Sequence, residues 1–198
     1  MTTWRQFLRQ QSAVLAATDF FTTEVWTLTG LRTFYTLFAI DLKTRAVELL
    51  GTTANPDEGF MAQVARNITG VAGGFWAAKT MLIMDRDTKF SEAFRTALLR
   101  GGIKSLVTPA RAPNANAHAE RFVRSIKDEC LRRVVLVGEE SLHRALREYV
   151  TWYNRERNHQ GIGNALIDPC PSDVGGTGRV VRRSRLGGLL NFYRRKPA

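Results

Sequence analysis

Residues 81–107 read MLIMDRDTKFSEAFRTALLRGGIKSLV, and this stretch decides the fold class. MLIMD (81–85) is a short apolar run of strand length, ending on an acid. Residues 91–100 then take helical spacing, with Phe94 and Leu98 on the inward face and Gly101-Gly102 as the stop. IKSLV (103–107) is a second strand. Strand, helix and strand in this order mark an alternating β/α unit.

Upstream, AVLAATDFF (13–21) is a nearly all-apolar run bounded by Gln and Thr, a buried strand. TFYTLFAID (33–41), a turn at Leu42–Thr44 and RAVELLG (45–51) form a β-hairpin. A helix follows, with Asn55 as cap, Pro56 at its first position and Glu58 at its third. Phe60, Met61, Val64 and Ile68 share one face, and the helix ends near Gly70. Downstream, Pro109 and Pro113 mark a loop, a helix runs from about Asn116 to Val134, and another starts at Glu139-Glu140. Beyond His159 the periodicity fades into a Gly- and Arg-rich remainder, expected to be irregular. The sum is α/β: a mixed five-stranded sheet with helices on both faces. The expected division is a core over 1–165 and a basic C-terminal tail over 166–198.

The 198-residue chain carries 29 basic and 18 acidic residues, a net charge of +11. Seven of the cations follow Asp173, where no acid occurs: Arg179, Arg182, Arg183, Arg185, Arg194, Arg195 and Lys196. Such a surplus calls for a polyanionic partner, nucleic acid or an acidic membrane surface. No apolar stretch of about 18 residues spans a bilayer, and no signal-peptide pattern opens the chain. Two cysteines, Cys130 and Cys170, make neither a disulfide framework nor a Cys-rich zinc site, and a reducing cytosol fits them. The expected location is cytoplasmic, at the nucleoid.

Asp19 and Asp85 each follow a run of small or apolar residues. Leaving a carboxylate unpaired there costs several kcal/mol, so each needs a partner, and a divalent cation is one candidate. Glu120 lies on a helix whose stripe is Ala119, Phe122, Val123, Ile126, Cys130 and Val134. Arg124 and Lys127 fall within about 60° of Glu120 on the helical wheel. Three carboxylates offer hard oxygen ligands suited to Mg²⁺ or Mn²⁺. Two such ions serve in-line phosphoryl displacement. Singly, each Asp reads equally as a turn or cap residue.

ATDFFT around Asp19, MLIMDRDTKF around Asp85 and PNANAHAERFVRSIKDE around Glu120 resemble the catalytic core of DDE transposases and retroviral-type integrases, above all bacterial insertion-sequence transposases. Asp85 and Glu120 are 35 positions apart, close to that family's usual spacing, and WYNRERNHQGI (152–162) resembles its segment after the catalytic Glu. The resemblance implies a ribonuclease-H-like fold. It makes Asp19, Asp85 and Glu120 the catalytic metal ligands for two Mg²⁺ or Mn²⁺ ions. Arg124 and Lys127 match positions facing element-end DNA, and Arg182, Arg183 and Arg185 of the tail are expected to meet phosphates.

The implied activity is metal-dependent cleavage of DNA at element ends, followed by transfer of the freed 3′-OH to target DNA: transposition, DNA integration and recombination. The implied partners are element-end and target DNA and further copies of the chain on that DNA, with no membrane. The chain starts just before the core, so a separate helix-turn-helix subunit is expected, or else this is a truncated DNA-binding remnant. A nuclease of the same fold that hydrolyses without joining is a further alternative. Relatives often have Gly where Asp87 stands, and Asp87 reads as a turn residue or an outer carboxylate. His118 reads as a loop or capping residue, or as a contact to phosphate or water. Asp41 and Arg45 read as turn residues, the four tryptophans as packing, and Asn114 and Asn116 as loop residues within reach of DNA.

Overall fold

The computed structural model describes residues 3–70, 73–108 and 116–197. The loop expected at Pro109 and Pro113, with Asn114, lies outside the described residues. The chain divides into two compact units: Met1–Glu24 with Leu31–Arg124, and Val25–Gly30 with Ser125–Ala198.

The first unit is built on five strands: β1 (Leu15–Thr27), β2 (Gly30–Asp41), β3 (Val47–Thr53), β4 (Met81–Met84) and β5 (Lys104–Val107). Their order is β3-β2-β1-β4-β5. β2 and β3 pair antiparallel, whereas β1 with β4 and β4 with β5 pair parallel. With helices on both faces, this mixed sheet has the ribonuclease-H-like arrangement that the β/α alternation predicts. Side chains alternate across it, as strand geometry requires. Ala16, Leu37, Ala39, Leu82 and Met84 pack with Met61, Val64, Ala65 and Ile68 of α2 (Glu58–Gly70) and Phe94 and Leu98 of α3 (Glu92–Arg100). On the opposite face, Phe38 meets Phe122 of α4 (Ala117–Glu129), ring centroids 4.7 Å apart.

Several boundaries differ from expectation. β1 runs six residues past Phe21, to Thr27, where its burial alternates as in a half-exposed strand. The cap of α2 is Asp57: its Oδ1 accepts the Phe60 N–H at 2.8 Å, and its carbonyl accepts Met61 N–H. An acidic cap directly before the helix satisfies an orphan N–H that Asn55, two residues further out, does not reach. α3 begins after Ser91, whose Oγ accepts Phe94 N–H. An amino-terminal helix, α1 (Trp4–Gln11), precedes the sheet. A capping box holds it, with reciprocal side-chain to backbone bonds between Thr3 and Gln6.

In the second unit, α4 ends at Glu129 rather than Val134. A 3-10 turn follows at Leu131–Arg133, and Val134 is extended. α5 (Glu139–Arg155) buries Leu142, Leu146, Tyr149 and Tyr153. The stretch beyond His159 is not irregular throughout: β6 (Val180–Arg185) and β7 (Leu190–Arg195) form an antiparallel hairpin.

Candidate active site

Asp19 is on β1 and Asp85 directly follows β4. The paired register runs Leu15↔Met81, Ala16↔Leu82 and Ala17↔Ile83. Asp19 therefore lies within its strand rather than at its end, two residues past the last pair. By strand parity it points away from the α2–α3 core that Phe20 packs against, towards the face that α4 covers. Asp85 has the parity of Ile83 and belongs to the same face. Glu120 is exposed in the first turn of α4, where the helix dipole favours an acid.

Buried Asn116, just before α4, ties that helix to β1. Its Nδ2 donates to the Thr18 carbonyl at 3.1 Å, one residue before Asp19. Thr18 in turn donates its hydroxyl to the Phe38 carbonyl at 2.7 Å, a bond fully inside the sheet. The Oδ1 of Asn116 is buried without a hydrogen-bond partner among the described residues. The start of the Glu120 helix is thus fastened next to Asp19 by an amide whose other end faces into the protein.

The Asp19 carboxyl feels the charges of the other two acids. The Asp19 carboxyl is pushed up from 3.8 to about 6. Burial is the largest cause. The Phe20 N–H, donating to Asp19 Oδ1 at 2.7 Å, opposes it, and the negative charges of Asp85, Glu120 and Asp87 raise it further. Asp85 Oδ1 accepts the Asp87 N–H at 3.0 Å. Asp87 is a turn builder: its Oδ1 accepts Lys89 N–H and its Oδ2 pairs with Lys89 Nζ at 2.7 Å. That partner holds the Asp87 carboxyl below its usual range despite its burial.

Among the described residues, no group of three or more His, Cys, Asp or Glu side chains is gathered closely enough to hold a metal ion. The expected cage is therefore not closed. The donor set nonetheless fits a hard divalent cation. All its donors are carboxylate oxygens, and the carboxyl of half-buried Asp19 is raised by burial and by the neighbouring acids, a charge that a divalent cation would offset.

His118, two residues before Glu120, is half-buried, and its imidazole is pushed down to about 4. Burial is the main cause, followed by the charges of Arg45 and Arg121. It is neutral at pH 7. Asp41 is structural, as read: its Oδ1 accepts the N–H groups of Lys43 and Thr44, and its Oδ2 pairs with buried Lys79 at 2.9 Å. Of the tryptophans, Trp76 is buried and donates to Glu48, Trp152 donates to the Asn191 carbonyl, and Trp4 stacks on Phe7. Trp26 is 56% exposed.

In the second unit the segment 152–162 does structural work that its sequence does not announce. Arg157 grips Glu129, the last residue of α4, with Nη2–Oε1 at 2.6 Å and Nε–Oε2 at 3.0 Å. Tyr149 donates its hydroxyl to the same carboxylate at 2.8 Å, and the His159 ring bonds the Tyr153 carbonyl at 2.8 Å.

The tail cations divide by strand alternation. Arg183 bonds Glu156 and Asp173, Arg185 bonds Glu156 and Glu148, and Arg194 pairs with Asp173. The Glu156 and Asp173 side chains are each only 1% exposed, so these arginines are their counter-ions. Arg182, on the other face of β6, is exposed, as are Arg179, Arg195 and Lys196. Arg124 on α4 is exposed and Lys127 half-buried. The period-2 pattern of VVRRSR carries this division, and it is visible only once the segment is known to be a strand.

Residues 101–166 match the family described as Integrase core domain. That stretch contains Asn116 and Glu120 but neither Asp19 nor Asp85. Among solved structures, the catalytic core domain of BIV integrase is similar, with a TM-score of 0.53 and 18% identity over 78% of this chain and 91% of that one. At that identity the likeness shows a shared fold. No curated protein matches the sequence. Among the described residues no helix is long and apolar enough to cross a membrane.

Proposed function

We propose that the chain belongs to the DDE integrases and transposases, and that it cuts and joins DNA strands at Asp19, Asp85 and Glu120. The observation that carries this reading is the placement of the acids: Asp19 and Asp85 stand two residues beyond one paired couple of β1 and β4, and Asn116 ties the start of the Glu120 helix to the carbonyl next to Asp19. The ribonuclease-H-like sheet and the family match over 101–166 support it.

Asp19, Asp85 and Glu120 would hold two Mg²⁺ or Mn²⁺ ions, which when bound supply charge for the attacking and leaving oxygens of a phosphoryl displacement. Asn116 positions the Glu120 helix against the Asp19 strand. Arg124 and Lys127, one and two turns after Glu120, neutralise phosphates of the element end. Arg182 offers a further phosphate contact from the exposed face of β6. Contact by Arg183 or Arg185 would be made at the expense of their bonds to Glu156, Asp173 and Glu148. Joining requires two DNA ends held together, so the working form is an assembly of copies on DNA.

The test is a strand-transfer reaction with a pre-cut DNA end in Mn²⁺ or Mg²⁺. Joined product that disappears in Asp85→Asn supports the proposal. Hydrolysis without joining assigns a nuclease instead. DNA binding with neither activity assigns a DNA-binding remnant.

A further inference from the structure

The β6–β7 hairpin of the second unit has two faces of different character. Its register sets Val180 opposite Arg195, Arg182 opposite Tyr193 and Ser184 opposite Asn191, and these side chains share the outer face. Arg183, Arg185, Phe192 and Arg194 belong to the inner face, where Glu148, Glu156 and Asp173 take the three guanidinium groups. Leu190 and Phe192 are buried there, and the Trp152 indole of α5 donates to the Asn191 carbonyl at 3.2 Å. The inner face is thus packed and its charges are met.

On the outer face the charges are not met. Arg182 and Arg195 are exposed, and among the described residues no carboxylate pairs with either. Arg195 Nη1 donates to the Gly178 carbonyl at 3.3 Å, a neutral partner that leaves its charge in place. No acid follows Asp173 in the chain, and Asp173 itself is taken on the inner face. Exposed Arg179 and Lys196 stand at the open end of the hairpin, where the Lys196 N–H donates to the Arg179 carbonyl at 3.1 Å. Between the outer cations lies an aromatic ring. Tyr193 is across the ladder from Arg182, a separation of about 5 Å between Cβ atoms in such pairs. It is two residues from Arg195 on its own strand, about 7 Å away along an extended chain. Of the four tyrosines, Tyr149 and Tyr153 are buried, Tyr35 is half-buried and Tyr193 is 61% exposed.

We propose that the outer face of the β6–β7 hairpin binds single-stranded DNA, with an unpaired base stacked on Tyr193 and the flanking phosphates on Arg182 and Arg195. An exposed tyrosine alone needs no ligand. Set between two cations that lack counter-ions, it has the composition of a stacking platform in a basic groove: the ring takes the face of a base and the guanidinium groups take the backbone. Exposed Val180, beside Arg195 on the same face, offers apolar surface to the sugar. A duplex would satisfy the arginines equally, but its base faces are hidden in the helical stack, so the ring favours an unpaired strand. That the nucleic acid is DNA rests on the function proposed above, whereas the surface itself uses neither the carboxylates nor a metal ion.

The test is fluorescence anisotropy with the whole chain and two labelled probes, a DNA single strand without self-complementarity and the same sequence as a duplex. EDTA is present, so the readout is independent of the carboxylate site: a chain that joins no DNA can pass, and one that joins DNA can fail. The variants are Tyr193→Ala and Tyr193→Phe, with circular dichroism confirming that both are folded. Tyr193→Ala is expected to weaken single-strand binding about tenfold, as loss of one stacked base does, and duplex binding by less than about threefold. Tyr193→Phe, which keeps the ring, is expected to bind the single strand within about threefold of the wild type. No binding of the single strand by the wild type, unchanged binding by Tyr193→Ala, equal loss on both probes, or Tyr193→Phe as weak as Tyr193→Ala overturns the proposal.

Discussion

Asp19 on β1 and Asp85, directly after the neighbouring parallel strand β4, each stand two residues beyond the paired couple Ala17 and Ile83. The register thereby sends two acids to the same side of the sheet, and the burial of the first makes their mutual repulsion count. The Asp19 carboxyl, raised to about 6, is a stability statement as well as a chemical one.

A carboxyl whose folded value lies above its ordinary 3.8 favours the fold most at low pH. That contribution is lost as pH rises from about 4 through about 6, and stability is then level with respect to this group. Asp19→Asn removes the charge. In the absence of divalent ions the variant melts higher than the wild type at pH 7.5, by about 1–2 kcal/mol after allowance for solvent screening. The two converge near pH 4. Thermal melts at both pH values in EDTA check this, and a variant less stable than the wild type at pH 7.5 contradicts it.

Asn116→Ala deletes the bond to the Thr18 carbonyl and leaves that buried acceptor without it. The expected loss of stability is about 1 kcal/mol, moderated because the unpartnered Oδ1 leaves too. Strand transfer falls further than this loss accounts for, since the start of the Glu120 helix is no longer fixed to β1. Turnover of the folded fraction, measured beside denaturant unfolding, separates the two effects.

Arg157→Ala removes both guanidinium bonds to the Glu129 carboxylate and leaves it the Tyr149 hydroxyl. A destabilisation of about 1–3 kcal/mol follows for this partly buried pair. Arg157→Lys restores the charge but not the two-pronged geometry, so it recovers only part of the loss. Urea midpoints of the three proteins decide the order.

Arg182 and Arg183 are neighbours in sequence with opposite roles. Arg183→Ala takes a counter-ion from both Glu156 and Asp173, and lowers stability by about 1–2 kcal/mol. Arg182→Ala leaves stability within about 0.5 kcal/mol and weakens DNA binding uniformly across sequences, reducing the salt slope by about 1. Melting curves and salt-dependent DNA titrations of the pair check both halves.

Much of the sheet was legible because its strands are apolar runs of strand length and its glycine stops are sharp. The Gly101-Gly102 stop is reinforced in space: a Cβ on Gly101 would collide with the Thr69 side chain. Asp19 and Asp85 read as acids following apolar runs, but Asp19 does not end its strand, because the polar alternation of TTEVWT conceals the rest of β1. The hairpin of 180–195 was missed for a related reason. On β6 the inward positions include Arg183 and Arg185, whose partners Glu148, Glu156 and Asp173 lie outside the hairpin, so no hydrophobic period marks that strand.

The claim on which the account rests is that Asp19, Asp85 and Glu120 together hold divalent metal. Calorimetric titration of Mn²⁺ into the wild type and into Asp85→Asn at pH 7.5 tests it most directly. Saturable binding by the wild type, lost or weakened at least tenfold in the folded variant, is the predicted result. No binding by the wild type, or binding that the variant retains unchanged, would contradict it.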